Sequence, residues 1–479
     1  MIAEFKAYPA MKDSGVEWLG EVPEHWEVRR LGDSVANCVT GVWGSEPNGL
    51  DDLPCVRVAD FDRQRLRVRM HKPTMRAIAP NERRRRLLKS GDLLLEKSGG
   101  GDQQPVGVVM LYDHDVAAVC SNFVSRILVN EGFDSGFLTF LHSMLYAIRL
   151  NTRSIKQTTG IQNLDSSAYL GEPVSFPPLS EQAAIARFLD HADRRIRRYI
   201  RAKQKLIGLL EEQKQAIIHR AVTRGLDPDI PLKPSGVPWL GEIPENWEVR
   251  RSKRAFTPRK ELARPDDIQL SATQAYGVIA QDEYEIKVGR KIVKIFRHLD
   301  KRRHVEVDDF VISMRSFQGG LERAWVTGCI RSSYIVLRPT ARVDVDFFGY
   351  LFKSHGYIKA LQATANFIRD GQDLNFGNFC KVDLAFPPIE EQRQIAETLD
   401  AAIANNVKAA EQAQEEIDLL NEYRTRMIAD VVTGKLDVRE AAAKLPEEPD
   451  EPELVEEAAD LIDIGNTMAD GSDPVPEEA

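Results

Sequence analysis

The sequence predicts an α+β fold in which two mixed α/β domains alternate with two long helices, the second half of the chain repeating the first. Three pairs of passages predict it. "SGVEWLGEVPEHWEVRR" at 14–30 returns as "SGVPWLGEIPENWEVRR" at 235–251, identical at 14 of 17 positions and displaced by 221. "FPPLSEQAAIARFLD" at 176–190 returns as "FPPIEEQRQIAETLD" at 386–400, with 9 of 15 positions identical and a displacement of 210. "LLEEQKQAIIHRAVTRGLD" at 209–227 returns as "LLNEYRTRMIADVVTGKLD" at 419–437, with 8 of 19 identical at the same displacement. Each half therefore runs opening motif, variable region, FPP-x-x-EQ motif, long helix. Two copies are too few for a solenoid, so a duplicated two-domain unit is the simpler arrangement.

The expected boundaries follow. Residues 1–178 hold the first opening motif and variable domain, and 179–225 the first long helix. Residues 226–388 repeat the motif and domain, 389–437 supply the second helix, and 438–479 form a tail. The first helical stretch, Leu179 to Val222, carries Ile185, Leu189, Ala192, Ile196, Tyr199, Lys203, Leu206, Leu210, Gln213 and Ile217 at alternating spacings of four and three. That is a heptad seam. The second, Ile389 to Val432, offers Ile395, Leu399, Ile403, Val407, Ala410, Ala413, Ile417, Leu420 and Met427. Ser180, Glu181, Glu390 and Glu391 put acceptors and negative charge at the helix starts. Each helix would be roughly 65 Å long. Their matched position and length favour packing on each other over two unrelated surface helices.

The variable regions read as mixed α/β. "GDLLLEKSGGG" (91–101) corresponds to "DDFVISMRSFQGG" (308–320), each a turn, an apolar strand and a polar Gly-containing loop. "SNFVSRILV" and "SSYIVLRP" are later strands, and Asp134 and Asp344 begin amphipathic helical stretches. Scaffolds that repeat while their polar loops diverge suggest related but distinct ligands.

Composition narrows the function classes. The 479 residues, 43% hydrophobic and 29% charged, are enough for three or four ordinary globular units. There is no apolar run long enough to span a bilayer and no secretory signal, so a cytoplasmic protein is expected. The five cysteines (Cys38, Cys55, Cys120, Cys329, Cys380) are scattered without a C-x-x-C pair, which fits reduced thiols. The nine histidines form no metal-ligand pattern, and His298 and His304, flanking a basic run, read as surface residues. No metal site is expected. The net charge of −9 conceals an uneven distribution: the Pro-rich segment 445–479 holds eight Glu and five Asp without Lys or Arg. That segment is expected to be disordered. The remainder, 64 basic against 60 acidic residues, is mildly basic and compatible with nucleic acid.

On "SGVEWLGEVPEHWEVRRL" and its copy, on the twice-used "FPPLSEQ" and "FPPIEEQ" leading into long helices, and on the loops "TTGIQNLD" (158–165) and "DGQDLNF" (370–376), the chain resembles the specificity subunit of type I restriction-modification enzymes. The resemblance covers about residues 10–437. It implies two target-recognition domains, each reading one half of a split, asymmetric double-stranded DNA site, and helices that pair antiparallel as a spacer, with the recognition domains at opposite ends. It also implies that the repeated segments bind two methyltransferase subunits, which use S-adenosylmethionine to methylate adenine. Restriction/translocase subunits would add ATP- and Mg2+-dependent translocation and cleavage. This chain would itself be non-catalytic, with no cofactor, small-molecule substrate or membrane partner. The equivalent subunit of a split-site enzyme with a fused nuclease–methyltransferase partner, and a protein-only coiled-coil scaffold, stay open as alternatives.

The residues are consistent with a non-catalytic role. "VVTGKLD" holds a Gly-Lys without the rest of a phosphate loop. Phe176-Pro177-Pro178 and Phe386-Pro387-Pro388 lack the Asn of an amino-methyltransferase motif and read as rigid strand-to-helix connectors. Glu212-x-Lys214 sits in a helical face. Trp18, Trp26, Trp239 and Trp247, beside rigid Pro turns, read as structural anchors or as a partner-binding surface.

Candidate phosphate contacts are Arg83, Arg84, Arg85 and Arg86, and Arg297, Lys301, Arg302 and Arg303. The last three of each run coincide at a displacement of 217. They would position a duplex without specifying bases, or be solvated faces. Candidates for base edges are Lys97, Ser98, Gln103, Gln104, Gln157, Gln162 and Asn163 in the first domain, and Arg315, Ser316, Gln318, Gln372 and Asn375 in the second. Turn and cap chemistry is the alternative for each. Trp43 and Phe317 could touch thymine methyls or simply pack.

Overall fold

A computed structural model describes residues 6–101, 103–158, 161–289, 291–292, 299–364 and 375–446. The chain divides into two compact units, one of residues 1–201 with 417–479 and one of residues 202–416. The cuts fall inside the two long helices, α1 (Leu179–Arg224) and α2 (Ile389–Val432), of 46 and 44 residues. Among the described residues no helix is long and apolar enough to cross a membrane.

The first unit is built on a six-stranded sheet in the order Val35–Thr40, Val124–Val129, Asp92–Glu96, Val109–Tyr112, Arg67–Val68, Phe61–Asp62. All its pairings are antiparallel except that of Leu111 with Arg67. The strand of "GDLLLEKSGGG" lies inside it, and all five residues of Asp92–Glu96 are buried. A strand covered on both faces reads as an apolar run rather than an alternation. The helix Ser135–Ala147 lies in the same core as the sheet and buries Phe137, Leu138, Leu141 and Leu145. Asp134 caps it by accepting from Phe137 N at 2.7 Å, as its type and position predict.

His142 on this helix is 1% exposed. Tyr169 Oη lies 2.8 Å from its Nδ1, and Nε2 has no hydrogen-bond partner among the described residues. Burial pushes its pKa down to about 4. The folded value thus lies below the ordinary one near 6.5, so the unfolded chain takes up the proton first. Stability conferred by the neutral ring is complete above about pH 6.5 and is lost as pH falls towards 4, by about 3 kcal/mol. Urea titrations at pH 7 and 4.5 are expected to show a smaller acid loss in His142→Gln than in wild type. Equal losses would exclude this origin.

The second unit carries a four-stranded antiparallel sheet in the order Phe256–Pro258, Ile335–Pro339, Phe310–Ile312, Glu322–Arg323. Its core is aromatic: Phe256 lies 5.2–5.9 Å, centroid to centroid, from Phe310, Phe348, Phe352 and Phe379. Two local expectations change here. The stretch after Asp344 forms two helices, Val345–Lys353 and His355–Gln362, because Ser354 leaves the helical backbone and caps the second by accepting from Tyr357 N. "SFQG" is a helical turn, Ser316–Gly319, rather than an open loop.

Within each unit the two long helices run antiparallel, and the fold is the α+β architecture with paired long helices expected from the repeats. In the first unit Ile185, Leu189 and Ile196 of α1 share a core with Met427, Ile428, Val431 and Val432 of α2. In the second, Ile218, Ala221 and Val222 meet Ile395, Ala396 and Leu399. There Lys203 Nζ contacts Glu416 at 2.7 Å, and Asn406 Nδ2 donates to Gln213 Oε1 at 3.0 Å. As α1 advances from 203 to 213, its partner recedes from 416 to 406.

The buried stripe departs from the predicted seam at Val407 of α2, which is 39% exposed, and at two positions of α1. Ile417 is buried, and Leu210, Ile217 and Leu420 are half-buried, but Leu206 is 40% and Tyr199 53% exposed. Ile200 and Ile207, one residue further on, are the half-buried positions. A strict four–three alternation has a period of 3.5, whereas an α-helix turns every 3.6 residues. Over several heptads the inward stripe must therefore step forward by one.

Candidate nucleic-acid interface

The same junction is built in both units from the repeated motifs. In the first, strand Glu27–Arg30 pairs with Pro173–Phe176, bringing the opening motif beside Phe176-Pro177-Pro178. Trp26 is fully buried and its Nε1 donates to Glu181 Oε1 at 3.0 Å. Glu181 also accepts from Tyr8 Oη at 2.6 Å and faces His25 Nε2 at 2.8 Å. In the second unit strand Glu248–Arg251 pairs with Asp383–Phe386. Trp247, also fully buried, donates to Glu391 Oε1 at 2.8 Å, and Asn246 takes the place of His25 at 3.0 Å. Trp18 and Trp239 are half-buried, and Trp239 donates to Asp383 O at 3.1 Å.

The glutamines following these glutamates join helix to domain. Gln182 Nε2 donates to Pro177 O at 2.9 Å while its Oε1 accepts from Asp134 N at 2.9 Å. Gln392 does the same with Pro387 O at 2.9 Å and Asp344 N at 2.8 Å. The far ends of the helices close each junction. At Gly434, with φ of +76°, an added Cβ would meet Pro23 Cδ at 2.3 Å and the Trp26 ring at 3.2 Å, so α2 stops directly on the first motif. At Gly225 the nearest groups are Glu391 and Trp247, both 3.5 Å away. Glu181, Gln182, Glu391 and Gln392 were not among the expected site residues, though Glu181 and Glu391, and Gln182 and Gln392, are identical at aligned positions in the two copies.

The divergent loops mount on these junctions. In the first unit the Gly-rich segment and the "TTGIQNLD" hairpin meet in a three-stranded sheet: Ser98–Gly99 pairs with Ile161–Leu164, which pairs with Ile155–Thr158. Ser98 Oγ donates to Asn163 Oδ1 at 2.6 Å. Gly100 turns sharply there, and a Cβ would meet Val106 N at 2.7 Å. Gln103 and Gln104 are exposed at the adjacent tip, and Lys97 Nζ donates to Thr40 Oγ1 at 3.2 Å. Gln157 lies in the hairpin, but its side chain is outside the described residues. Gln162 is not available as a reader: it is 6% exposed and its Oε1 accepts from Val106 N at 3.3 Å.

The arginine run separates into two classes. Arg83 pairs with Asp51 at 2.8 Å, and Arg86 donates to Thr40 O and Glu82 O at 3.0 and 2.8 Å. Arg84 and Arg85 are exposed. In the second unit Lys301 is exposed, while Arg302 is only 5% exposed and donates to Gln269 Oε1 at 3.2 Å. Arg303 is half-buried with Nη1 3.4 Å from Lys260 O. Arg302 is therefore a structural cation, because tertiary partners capture it before solvent can. Arg297, Gln372, His298 and the tail from 447 lie outside the described residues.

Two further expectations are corrected, those for Ser316 and His304, and Asn375 shows the cap chemistry that was its alternative. Ser316 is fully buried and its Oγ accepts from Ser313 N at 2.9 Å. Asn375 caps the turn Phe376–Phe379 by accepting from Asn378 N at 3.0 Å. His304, expected at the surface, is fully buried. Arg315 and Gln318 remain exposed beside Ser316. Phe317 packs against the aromatic core, whereas Trp43 is 38% exposed with the Arg76 guanidinium 4.7 Å from its ring.

No family model matches the chain. It is 24% identical over 453 residues to the type I restriction enzyme MjaVIII specificity subunit of Methanocaldococcus jannaschii, covering 87% of this chain and 94% of that protein. It is 23% identical over 332 residues to the type I restriction enzyme EcoBI specificity subunit of Escherichia coli, covering 66% and 68%. A solved structure described as "Structural basis underlying complex assembly and conformational transition of the type I R-M system" matches with a TM-score of 0.62 at 16% identity, over 87% of this chain and 99% of that one. The sequence matches bear out the resemblance read from the repeated motifs, and the structural match is one of fold.

Proposed function

We propose that this chain, similar over most of its length to type I restriction enzyme specificity subunits, is the DNA sequence-specificity subunit of such a complex. The carrying observation is the junction of Trp26, Glu181 and Gln182, rebuilt as Trp247, Glu391 and Gln392 around domains whose exposed polar loops differ. A shared mount with divergent loops suits two readers of unlike half-sites. Among the described candidates, the exposed residues Gln103, Gln104 and Asn163 in the first domain, with half-buried Lys97 beside them, and Arg315 and Gln318 in the second, are the groups placed to reach base edges. Among the described candidates, Arg84, Arg85 and Lys301 are the exposed cations available to phosphates, where each contact adds affinity that salt weakens. The repeated segments dock two methyltransferase subunits. S-adenosylmethionine, ATP and Mg2+ serve those partners and the restriction subunits, and this chain takes no chemical step itself.

Mapping adenine methylation genome-wide, in cells that supply the partner subunits with and without this chain, tests the reading. A motif of two short words with a fixed gap is expected only when the chain is present. Exchanging residues 31–175 for another recognition domain is expected to change one word and leave the other intact. A methylation pattern indifferent to the chain, or both words changing together, would overturn it.

A further inference from the structure

We propose that the second recognition domain carries a site for a divalent transition-metal ion of the zinc type, held by His304 Nε2 and the carboxylates of Glu261 and Glu306. These ligand atoms all lie within 4.8 Å of one another. His304 is fully buried, yet its Nε2 has no hydrogen-bond partner among the described residues and lies 3.6 Å from Glu306 Oε1. Its other nitrogen is occupied: Nδ1 lies 3.0 and 2.8 Å from the two oxygens of Asp267. A carboxylate on Nδ1 fixes the tautomer that leaves the Nε2 lone pair free, the outer-shell arrangement that orients histidines towards metals.

Backbone geometry holds the three segments together. His304 N donates to Glu261 O at 3.1 Å, and Ala263 N donates to Arg302 O at 3.0 Å. Strand Arg303–Val305 is paired in turn with Gly328–Ile330. Ligand atoms about 2.0–2.1 Å from a tetrahedral zinc stand about 3.4 Å apart. The 3.6 Å separation is already close to that. Glu261 and Glu306, 47% and 42% exposed, each hold one oxygen on buried Arg259, at 3.0 and 2.8 Å, so it is the other oxygen of each, now facing the exposed Arg264, that would close the remainder around a fixed imidazole. One nitrogen and two carboxylates favour zinc-like ions over magnesium, which prefers an all-oxygen shell.

The charge count agrees. Glu261, Asp267, Glu306 and Asp309 form one network with Arg259 and Arg264, leaving two negative charges in excess. Arg259 is buried against Asp309, but Arg264 is 49% exposed and lies 3.0 and 3.4 Å from the two ligand carboxylates. It occupies the place of a cation and can swing out to solvent. The bound ion would clamp the loop 259–267 to the strand of His304 in this domain alone. At the 217 displacement the positions of His304 and Glu306 hold Leu87 and Lys89.

The test uses the full chain stripped with a chelator, then titrated with ZnCl2 by calorimetry and with CoCl2 by visible absorption. Tight uptake of one ion per chain, with the intense bands of tetrahedral cobalt, is expected. His304→Gln and Glu306→Gln should each weaken it at least tenfold, and Arg264→Gln should strengthen it about tenfold by removing a competing charge. If these groups are only an ion-pair network and any uptake is adventitious, uptake is unmoved by all three substitutions. That result, or no uptake by the wild type, overturns the site. If His304→Gln fails to fold, Glu306→Gln and Arg264→Gln decide it, because both side chains are partly exposed and their effects have opposite sign.

Discussion

Replacing Trp26 with alanine is expected to lower the stability of the first unit by about 3–5 kcal/mol, the range for truncating a fully buried large aromatic. Several losses coincide at this ring. It has no exposed surface, its Nε1 donates to Glu181, and the end of α2 at Gly434 rests on it. Glu181, 6% exposed, would keep Tyr8 and His25 but lose one of three partners. Trp26→Phe weights the effects differently, since it retains most of the packing while removing the donor and part of the ring volume, at about 1–3 kcal/mol for the unpaired acceptor plus a smaller cavity cost. Urea denaturation of the full chain followed by circular dichroism measures both. A loss under about 1 kcal/mol for the alanine variant would mean that the junction is not held by this ring.

Asp193→Ala is expected to cost a similar amount, about 3–5 kcal/mol, for an electrostatic reason. Asp193 is 3% exposed, accepts from Arg197 Nε at 2.8 Å, and is paired with Arg424 Nε from α2. Arg197 is itself only 8% exposed. Removing the carboxylate leaves cations in a site that water reaches poorly. The penalty belongs to the orphaned charges rather than to the value of the bridge, because desolvation offsets much of a buried pair's attraction. Replacing the trio together, as Asp193→Leu with Arg197→Leu and Arg424→Met, should therefore be far milder than Asp193→Ala alone. If the triple variant is the less stable one, the bridge itself stabilises the helix pair. Denaturation midpoints of the two variants decide between these outcomes.

What could be read in advance divides along a physical line. The helices span Leu179–Arg224 and Ile389–Val432, close to the boundaries read from periodicity, because an apolar stripe is a one-dimensional signal. Asp134 and Asp344 cap helices as expected because capping involves residues three apart. The Trp-Pro-Gly passages were legible as anchors through their recurrence. Leu206 and Tyr199 were misplaced by a step that only the true helical period introduces.

The polar residues were harder to place. Gln162, Arg302, Ser316 and His304 have the same types as their exposed neighbours and sit in equally polar stretches. Gln162 is buried by Val106, and Arg302 by Gln269. Asp267 removes His304 from solvent, across 37 residues of chain.

By itself the sequence determined the duplication, the helix lengths, the caps and the anchoring aromatics, since each depends on local spacing or on repetition. Only the tertiary structure decided which polar side chains face solvent and which are tied inside. A donor or acceptor is satisfied by whatever group folding brings within about 3 Å, and that group is set by chain topology rather than by near neighbours.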